Sequence, residues 1–556
     1  MNWLTKEYIF IFFAFIGGFG MFLYGMNIMA DGLQKSAGNK MKSLLGALTN
    51  NRFLAVTVGA VVTAIIQSSS ACTVMVVGFV NAGLFNLSQA VGVIMGANIG
   101  TTITSWIVSS EEWLVFFKPS KIAPLAIGIG AILLFFSKNQ RKKQIGEIII
   151  GFGLLFIGLD YMKDAIDPFK DSPAFTEAFK TFGRNPILGI LAGALVTAII
   201  QSSSASVSIL QAVATVSFVP WSAAVYIILG QNIGTCVTAM LSSIGANKTA
   251  KRAAYIHLLF NIIGTVIFAV GCVIFFTFIN PDFGNNVAIS MVGISIFHTI
   301  FNVSNTVILF PFANKLVSLS MKIVRGDDNE DENDEDLALR HLDERILETP
   351  SFAVENAIKE VVIMGYRAVE NAKLATSALI EKDKSKVDKV VEEEKNINKL
   401  ERLITEYLVK ISNSSINESQ HEIVTNLFHT VNDIERVGDH AENIAELADY
   451  YIENELTFSD SAKQEIEDIS NRSIETIELA IKARENDDVD VVRKVEQNED
   501  LVDSLEEELR EKHIRRLAQN ICDSTTGVVF LDLISNYERI SDHALNVAYY
   551  VRDELI

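Results

Sequence analysis

Two stretches, TAIIQSSSACTV at Thr63–Val74 and TAIIQSSSASVS at Thr197–Ser208, decide how this chain folds. Both carry TAIIQSSS, 134 positions apart, and both place one glutamine and three serines inside a run apolar enough for a lipid bilayer. Backbone that leaves the helix at that depth must be satisfied by protein, water or a bound ion, because hydrocarbon offers it nothing. A polar break repeated at fixed spacing is therefore a device.

The repetition continues outward. GANIGTTIT starts at Gly96 and GQNIGTCVT at Gly230, again 134 apart, while FGMFLYGMNIMAD from Phe19 answers FGLLFIGLDYMKD from Phe152. An internal duplication of this kind in an apolar chain marks a secondary transporter built from repeats. Composition agrees: 49% hydrophobic residues and a mean hydropathy of +0.29 coexist with a net charge of −20 over 556 residues, which fits two unlike parts better than one globule. Long apolar segments near the ~20 residues of a spanning helix occupy the chain to about Val324. The first apolar run has no cleavage-like end, and Cys72, Cys236, Cys272 and Cys522 have neither metal-ligand spacing nor a disulfide framework.

Loop charges orient the spans by the positive-inside rule. Lys35, Lys40, Lys42 and Arg52, then KNQRKK from Lys138 and NKTAKR from Asn247, belong inside; SSEEW from Ser109 and NPDFGNN from Asn280 belong outside. These assignments agree only if each QSSS segment enters and leaves on one side. Unit one then has spans near 8–30, 87–108 and 121–137 with a re-entrant hairpin at 54–84. Unit two has a span near 146–162, a hairpin at 187–218, and spans near 221–241 and 253–279. Three crossings per unit is odd, so the repeats are inverted. A last span near 287–312 returns the chain to the cytoplasm, and 163–186 is an external loop.

In each hairpin the first arm ends at the glutamine and a second short helix starts near the serines. Serine caps helix N-termini, whose first-turn N–H groups carry partial positive charge and favour an anion. Carbonyl, glutamine and serine oxygens are hard ligands for a small cation. Gln67, Ser68, Ser69 and Ser70 with Gln201, Ser202, Ser203 and Ser204 are the candidate anion site. Gln67, Ser69, Asn98, Thr101, Thr102, Gln201, Ser203, Asn232 and Thr235 are the candidate cation ligands, with Thr238 as a neighbour. Small polar residues also serve close helix packing, and Thr63 and Thr197 suit back-bonding to their own helices as well as ligation.

The paired QSSS segments, each followed by N-I-G-T, resemble the type II sodium–phosphate cotransporters and their bacterial relatives over roughly residues 10–312. That resemblance implies sodium-driven import of inorganic phosphate across the plasma membrane, with sodium as co-substrate, phosphate held between the two QSSS loops, and no enzymatic activity. A carrier of another oxyanion and a membrane phosphate sensor remain alternatives. A serine hydrolase lacks G-x-S-x-G context and a partnering histidine; His257 and His298 read as packing or interfacial residues.

After RGDDNEDENDED, a solvated acidic linker at 325–345, the chain has its own repeat. NDIERVGDHAENIAE from Asn432 and SNYERISDHALNVAY from Ser535 place Glu435 against Glu538 and Asp439 against Asp542, 103 apart. EKNINKLE from Glu394 parallels EDLVDSLE from Glu499. Helical spacing such as Ile397, Leu400, Ile404 and Leu408 predicts two antiparallel three-helix bundles in 346–556. The doubled ER-[VI]-x-DH resembles the PhoU family of phosphate-regulatory proteins, which implies that Glu435, Asp439, Glu538 and Asp542 hold a divalent or iron-type metal; Asp433 opposite Asn536 argues against equal loading. The expected fold is all-α: a polytopic membrane domain (1–324, repeats about 10–140 and 145–280) followed by a cytoplasmic PhoU-like domain. Its partners are the bilayer, phosphate and sodium, not nucleic acid, with a homodimer left open.

Overall fold

The computed structural model describes residues 3–46, 51–114, 117–170, 172–326, 342–414, 416–519 and 521–555, so most of the acidic linker lies outside the described residues. The chain divides into two compact units, one of residues 1–332 with 343–351, the other of 333–342 with 352–556.

The first unit is helical. Helix α1 (Trp3–Gly46) leads to a hairpin of α2 (Arg52–Ile66) and α3 (Ser69–Asn81), then α4 (Leu87–Gly100), α5 (Thr102–Trp113) and α6 (Pro119–Phe136). The same order recurs as α7 (Gln140–Ile166), α8 (Pro173–Arg184), a hairpin of α9 (Pro186–Ile200) and α10 (Ser203–Val216), then α11 (Trp221–Gly234), α12 (Cys236–Ser242) and α13 (Lys248–Ile274). Short α14 (Pro281–Asn286), then α15 (Met291–Leu309) and α16 (Ala313–Ile323), close the unit. Among the described residues seven helical stretches are long and apolar enough to cross a membrane: 9–37, 87–113, 119–136, 140–169, 221–242, 248–279 and 291–323. The hairpin arms are not: 13 to 15 residues rise only about 20 Å at 1.5 Å per residue, against roughly 30 Å of hydrocarbon.

Both ends of the first hairpin lie at one face. The Arg52 guanidinium donates to Ser88 Oγ (3.1 Å) and Asn314 Oδ1 (2.6 Å), and Asn247 N donates to Asn81 Oδ1 (2.9 Å). The second hairpin returns to the other face, where Val219 and Ile289 share a backbone bond and Ser222 Oγ donates to Asn285 Oδ1 (3.3 Å). Glu112, which accepts from Val292 N three residues after Ile289, joins at that same face, next to Glu111, which accepts from Ser120.

An inverted relation is also written in glycines. On α1 and α7 a Cβ at Gly18 would press on Gly158 O and one at Gly25 on Gly151 O, and the reciprocal contacts hold. Gly18 is equivalent to Gly151, and Gly25 to Gly158, so each residue meets the equivalent of the other, as an antiparallel pair about a two-fold axis requires. Within each repeat the hairpin's first arm packs on the N-I-G-T helix through Gly59, Gly96 and Gly100, and through Gly193, Gly230 and Gly234.

Two expectations are refined. Helix α1 runs on through the expected cytoplasmic loop at 31–53 as far as Gly46, and Lys35 pairs with Glu147 of α7 at 3.1 Å. The expected external loop at 163–186 contains α8, whose Phe175, Phe179 and Phe182 pack on the core around Leu210 and Ile228. Its spacing of i, i+4 and i+7 is a readable helical signal.

The second unit holds two three-helix bundles: α17 (Pro350–Glu381, whose first residues fall in the other unit), α18 (Lys384–Ser412) and α19 (Glu418–Glu453), then α20 (Asp460–Asn486), α21 (Val489–Ala518) and α22 (Ser524–Leu555). Helices α19 and α22, which carry the ER-[VI]-x-DH motifs, pack on each other. Their motifs interlock reciprocally: His440 Nδ1 meets Asn536 Oδ1 (2.9 Å), His543 Nδ1 meets Asp433 Oδ1 (2.7 Å), and the two rings stack at 5.7 Å.

Candidate functional site

The opening stretch folds as a helix break of unusual geometry. Gln67 caps α2 in the left-handed region (φ 58°), its N–H donating to Thr63 O at 2.7 Å; Gln201 caps α9 identically (φ 59°, Thr197 O, 2.7 Å). A side chain in that region costs on the order of 1–2 kcal/mol, and here it turns the chain at once into the next helix. Ser68 and Ser202 are extended, and their hydroxyls accept from Ala71 N (3.1 Å) and Ala205 N (3.3 Å). Thr63 and Thr197 are fully buried, and neither hydroxyl back-bonds to its helix.

The two tips meet. Ser69 Oγ and Ser203 Oγ, equivalent residues, lie 3.5 Å apart, so the pseudo-two-fold axis passes between them. Ser70 Oγ donates to Gln201 O (3.4 Å). The first turns of α3 and α10, whose N–H groups have no partner within the helix, thus converge on one point. The hydrogen-bond partners described for these tips are serine, threonine, glutamine and backbone groups, with no carboxylate or cation among them.

The equivalence is incomplete, and the break in it is informative. Gln67 is buried: Thr104 Oγ1 donates to its Oε1 (2.9 Å), its Nε2 donates to Ala64 O, and Ser204 Oγ of the second hairpin donates to Thr104 (3.4 Å). Gln201 is exposed, and Thr238, the equivalent of Thr104, has a buried hydroxyl without a hydrogen-bond partner. One half of the site is closed on itself and the other is open.

Asn98 and Asn232 are buried on α4 and α11, their amide nitrogens donating to Ile94 O and Ile228 O (2.9 Å each), which leaves the oxygens as the atoms a cation could use. Thr101 and Thr235 sit at the breaks between α4 and α5 and between α11 and α12. Thr235 Oγ1 donates to Gln231 O (3.0 Å), Thr102 Oγ1 donates to Ile99 O (2.7 Å), and the Thr101 hydroxyl is buried without a partner. None of these five bonds to a tip among the described contacts. Sequence reasoning missed Thr104, Gln231, which donates to Ser206 Oγ (2.9 Å), and Gln211, which ties α10 to Ser105 O and Ser295 Oγ (3.0 Å each). Thr104 and Thr238 share a 37-residue offset from Gln67 and Gln201, but so does every duplicated position share its own, so the repeat singles out neither. His257 and His298 are fully buried, as packing residues are.

In the tail, carboxylates gather where α21 meets α22: single oxygens of Glu499, Asp503 and Asp542 all lie within 4.8 Å of one another. Burial, then Asp503 and Asp542 for Glu499, and Asp542 and Asp503 for Glu538, push both glutamates up to about 7. The first bundle is built differently. Glu394, equivalent to Glu499, is 2% exposed with both oxygens unpartnered, and burial beside Asp439 pushes it up to about 8. It lies against Gly438, where a Cβ would overlap its carboxylate; the second bundle has Ser541 there. Asn398 stands where Asp503 stands, and Arg436 pairs with Asp439 at 3.3 Å. The inequality of the copies thus comes from positions 398 and 438, while Asp433 and Asn536 serve the opposite copy's histidines. An orphaned buried carboxylate and a three-carboxylate cluster fit hard divalent cations.

The Na+/Pi-cotransporter family model matches residues 21–164 and 171–303, one stretch per repeat, and the PhoU domain model matches 361–448 and 466–551, one per bundle. The chain belongs to the Na+/Pi-cotransporter family and carries a PhoU domain. It is a membrane transporter, not an enzyme. It is 25% identical over 537 residues to YjbB of Escherichia coli (strain K12), provisionally named an inorganic phosphate export protein, with 96% of each chain covered. It is 29% identical over 296 residues to YqeW of Bacillus subtilis (strain 168), an uncharacterised protein, covering 53% of this chain and 92% of that one. Sodium-dependent phosphate transport protein 2A of Rattus norvegicus shares 32% over 96 residues, 17% of this chain and 15% of its own. Among solved structures, PhoU from Pseudomonas aeruginosa aligns at 24% identity and TM-score 0.35, covering 36% of this chain and 97% of that one.

Proposed function

We propose that this protein couples the movement of inorganic phosphate to sodium by alternating access about the Ser69–Ser203 axis. The reading rests chiefly on two equivalent helix N-termini converging on one point free of carboxylates, an arrangement that holds an oxyanion without buried cations. Phosphate would lie against Ser69, Ser70, Ser203 and Ser204 and the adjoining N–H groups, with Ser68 and Ser202 holding the caps. Sodium would take oxygens from Gln67, Gln201, Asn98, Asn232, Thr101, Thr102 and Thr235. An inward sodium gradient drives import. Export is a second reading, favoured by the name of YjbB, which matches along nearly the whole chain. Radiolabelled phosphate flux in proteoliposomes, with sodium gradients of either polarity and sulfate or carboxylates as competitors, tests all of this. Flux indifferent to sodium overturns the coupling, and binding without accumulation points to a sensor.

The three-part division at about 324 and 346 and the cytoplasmic position of the tail belong to this reading. In a cysteine-free background, single cysteines at Lys118 and Asn286 should react with an impermeant thiol reagent from outside and one at Lys138 should not; these three positions are exposed, whereas Ser110 of the SSEEW loop is buried. The reverse pattern overturns the orientation of the repeats.

The tail is proposed to bind a divalent metal through Glu499, Asp503, Glu538 and Asp542, with a weaker site at Glu394, Glu435 and Asp439. Calorimetric titration of residues 350–556 with Mn2+ should show the tighter site lost in the Glu499→Gln, Asp503→Asn, Asp542→Asn variant; unchanged binding refutes this assignment. Affinity should fall as pH drops through about 7, where Glu499 and Glu538 take up protons. Without metal the sign is opposite: the folded tail holds these protons at a pH where the unfolded chain, near 4.5, has released them. Its stability therefore falls as pH rises from 4.5 toward 7.

A further inference from the structure

The acidic linker is fastened to the membrane unit at both ends. Where the chain leaves, the buried Arg252 guanidinium donates to Val324 O (3.1 Å) and to Gly326 O. Where it returns, Asp343 Oδ2 accepts from Asn81 Nδ2 (2.8 Å), while its Oδ1 accepts from Arg345 N (2.9 Å) and caps a single 3-10 turn, Glu344–Glu348. Ile346 is fully buried there and lies over Gly78 of α3, where a Cβ would come to 3.1 Å of Ile346 Cγ1. Asn81 is shared: its side-chain oxygen and its carbonyl also accept from the backbone and side chain of Asn247 (2.9 and 3.1 Å), the cap of α13.

A tether needs none of this. A passive connection of charged residues would stay solvated, yet this turn buries an isoleucine and an aspartate against one end of α3. The other end of α3 is Ser69–Ser70, at the axis of the proposed site. Over about 20 Å a 13-residue helix moves as a rod, so displacement at Asn81 is displacement at the serines. Two residues after the turn, at Pro350, α17 begins, the first helix of the tail. The far end of α10 packs instead on Ile166, Val219 and Ile289, none of them from the linker.

We propose that residues 343–349 are an intramolecular latch that holds α3 in a resting position and slows transport until the tail withdraws it. This builds on the transport reading above and adds the means by which the tail acts on it.

The experiment uses the full chain, cysteine-free, in proteoliposomes. Joining Asn81→Cys to Asp343→Cys with a short reducible thiol linker should lower sodium-driven phosphate flux at least threefold relative to the same protein after reduction. Ile346→Ser, which weakens the seat, should raise flux at least twofold over the parent. A readout independent of flux is a third cysteine at Ser70, whose reaction rate with a small thiol reagent should differ at least threefold between the linked and reduced states. Unchanged flux and unchanged Ser70 reactivity in both variants overturn the latch, and so does faster transport when linked. If no variant moves phosphate while Ser70 reactivity still follows the linker, the transport reading fails and the latch stands.

Discussion

Gln67→Ala should lower sodium-dependent phosphate flux in proteoliposomes by roughly 5- to 150-fold while the protein still inserts and purifies normally. The range is that expected for about 1–3 kcal/mol, the penalty for leaving a buried polar partner unmet. The substitution removes the Oε1 that accepts from Thr104 at 2.9 Å, and with it the strand of bonds that reaches Ser204 of the other hairpin. It also removes a hard oxygen at a left-handed turn, where water substitutes poorly. Gln201→Ala should be as damaging although the Gln201 side chain is exposed and makes no hydrogen bond among the described contacts. In an inverted repeat the two halves exchange conformations over the cycle, so the open glutamine of one state is the closed one of the next. Near-normal flux in both single variants overturns a shared site. Loss in Gln67→Ala alone means that the halves do not exchange roles.

That asymmetry marks where sequence reading stops. The duplication at 134 residues, with an odd number of crossings per unit, implied the pseudo-two-fold relation, and Ser69 meets Ser203 because that pair lies on the axis. The break at each glutamine was equally legible, since serine at a helix start and polar residues inside an apolar run have few physical explanations. Thr104 was not: a threonine in an apolar helix ordinarily bonds its own backbone, and only tertiary packing aims it at Gln67. Likewise the ExxxD pairs at Glu435 and Glu538 were legible, but the gathering of Glu499 and Asp503 with Asp542, against Asn398 and a buried Glu394 beside Gly438 in the first bundle, was not. The seat of Ile346 had no signal at all, since one isoleucine after a charged run carries no periodicity.

The repeats also make a steric prediction with a large effect. A Cβ at Gly230 would overlap the Ile190 carbonyl oxygen, and one at Gly193 the Ile227 carbonyl oxygen, so α9 and α11 touch backbone to backbone. Overpacking in a core typically costs 1–3 kcal/mol when side chains can yield. Here the obstacle is main chain, and relief requires α9 to move away from α11, carrying Gln201 and the second tip with it. Gly230→Val should therefore cost about 3 kcal/mol or more and lower the melting temperature in detergent by about 10 °C or more, at a few degrees per kcal/mol, with phosphate flux lost. Gly96→Val should do the same to α2 and α4, where a Cβ would overlap Val56 O. Gly17→Ala and Gly271→Ala are the controls. Nothing lies within 4 Å of a Cβ at either position, and alanine is the better helix former by about 1 kcal/mol, so both should melt at or slightly above the parent temperature. If Gly230→Val melts with those controls, the close approach of hairpin and N-I-G-T helix is absent in the folded protein, and the glycines spaced 134 apart need another explanation.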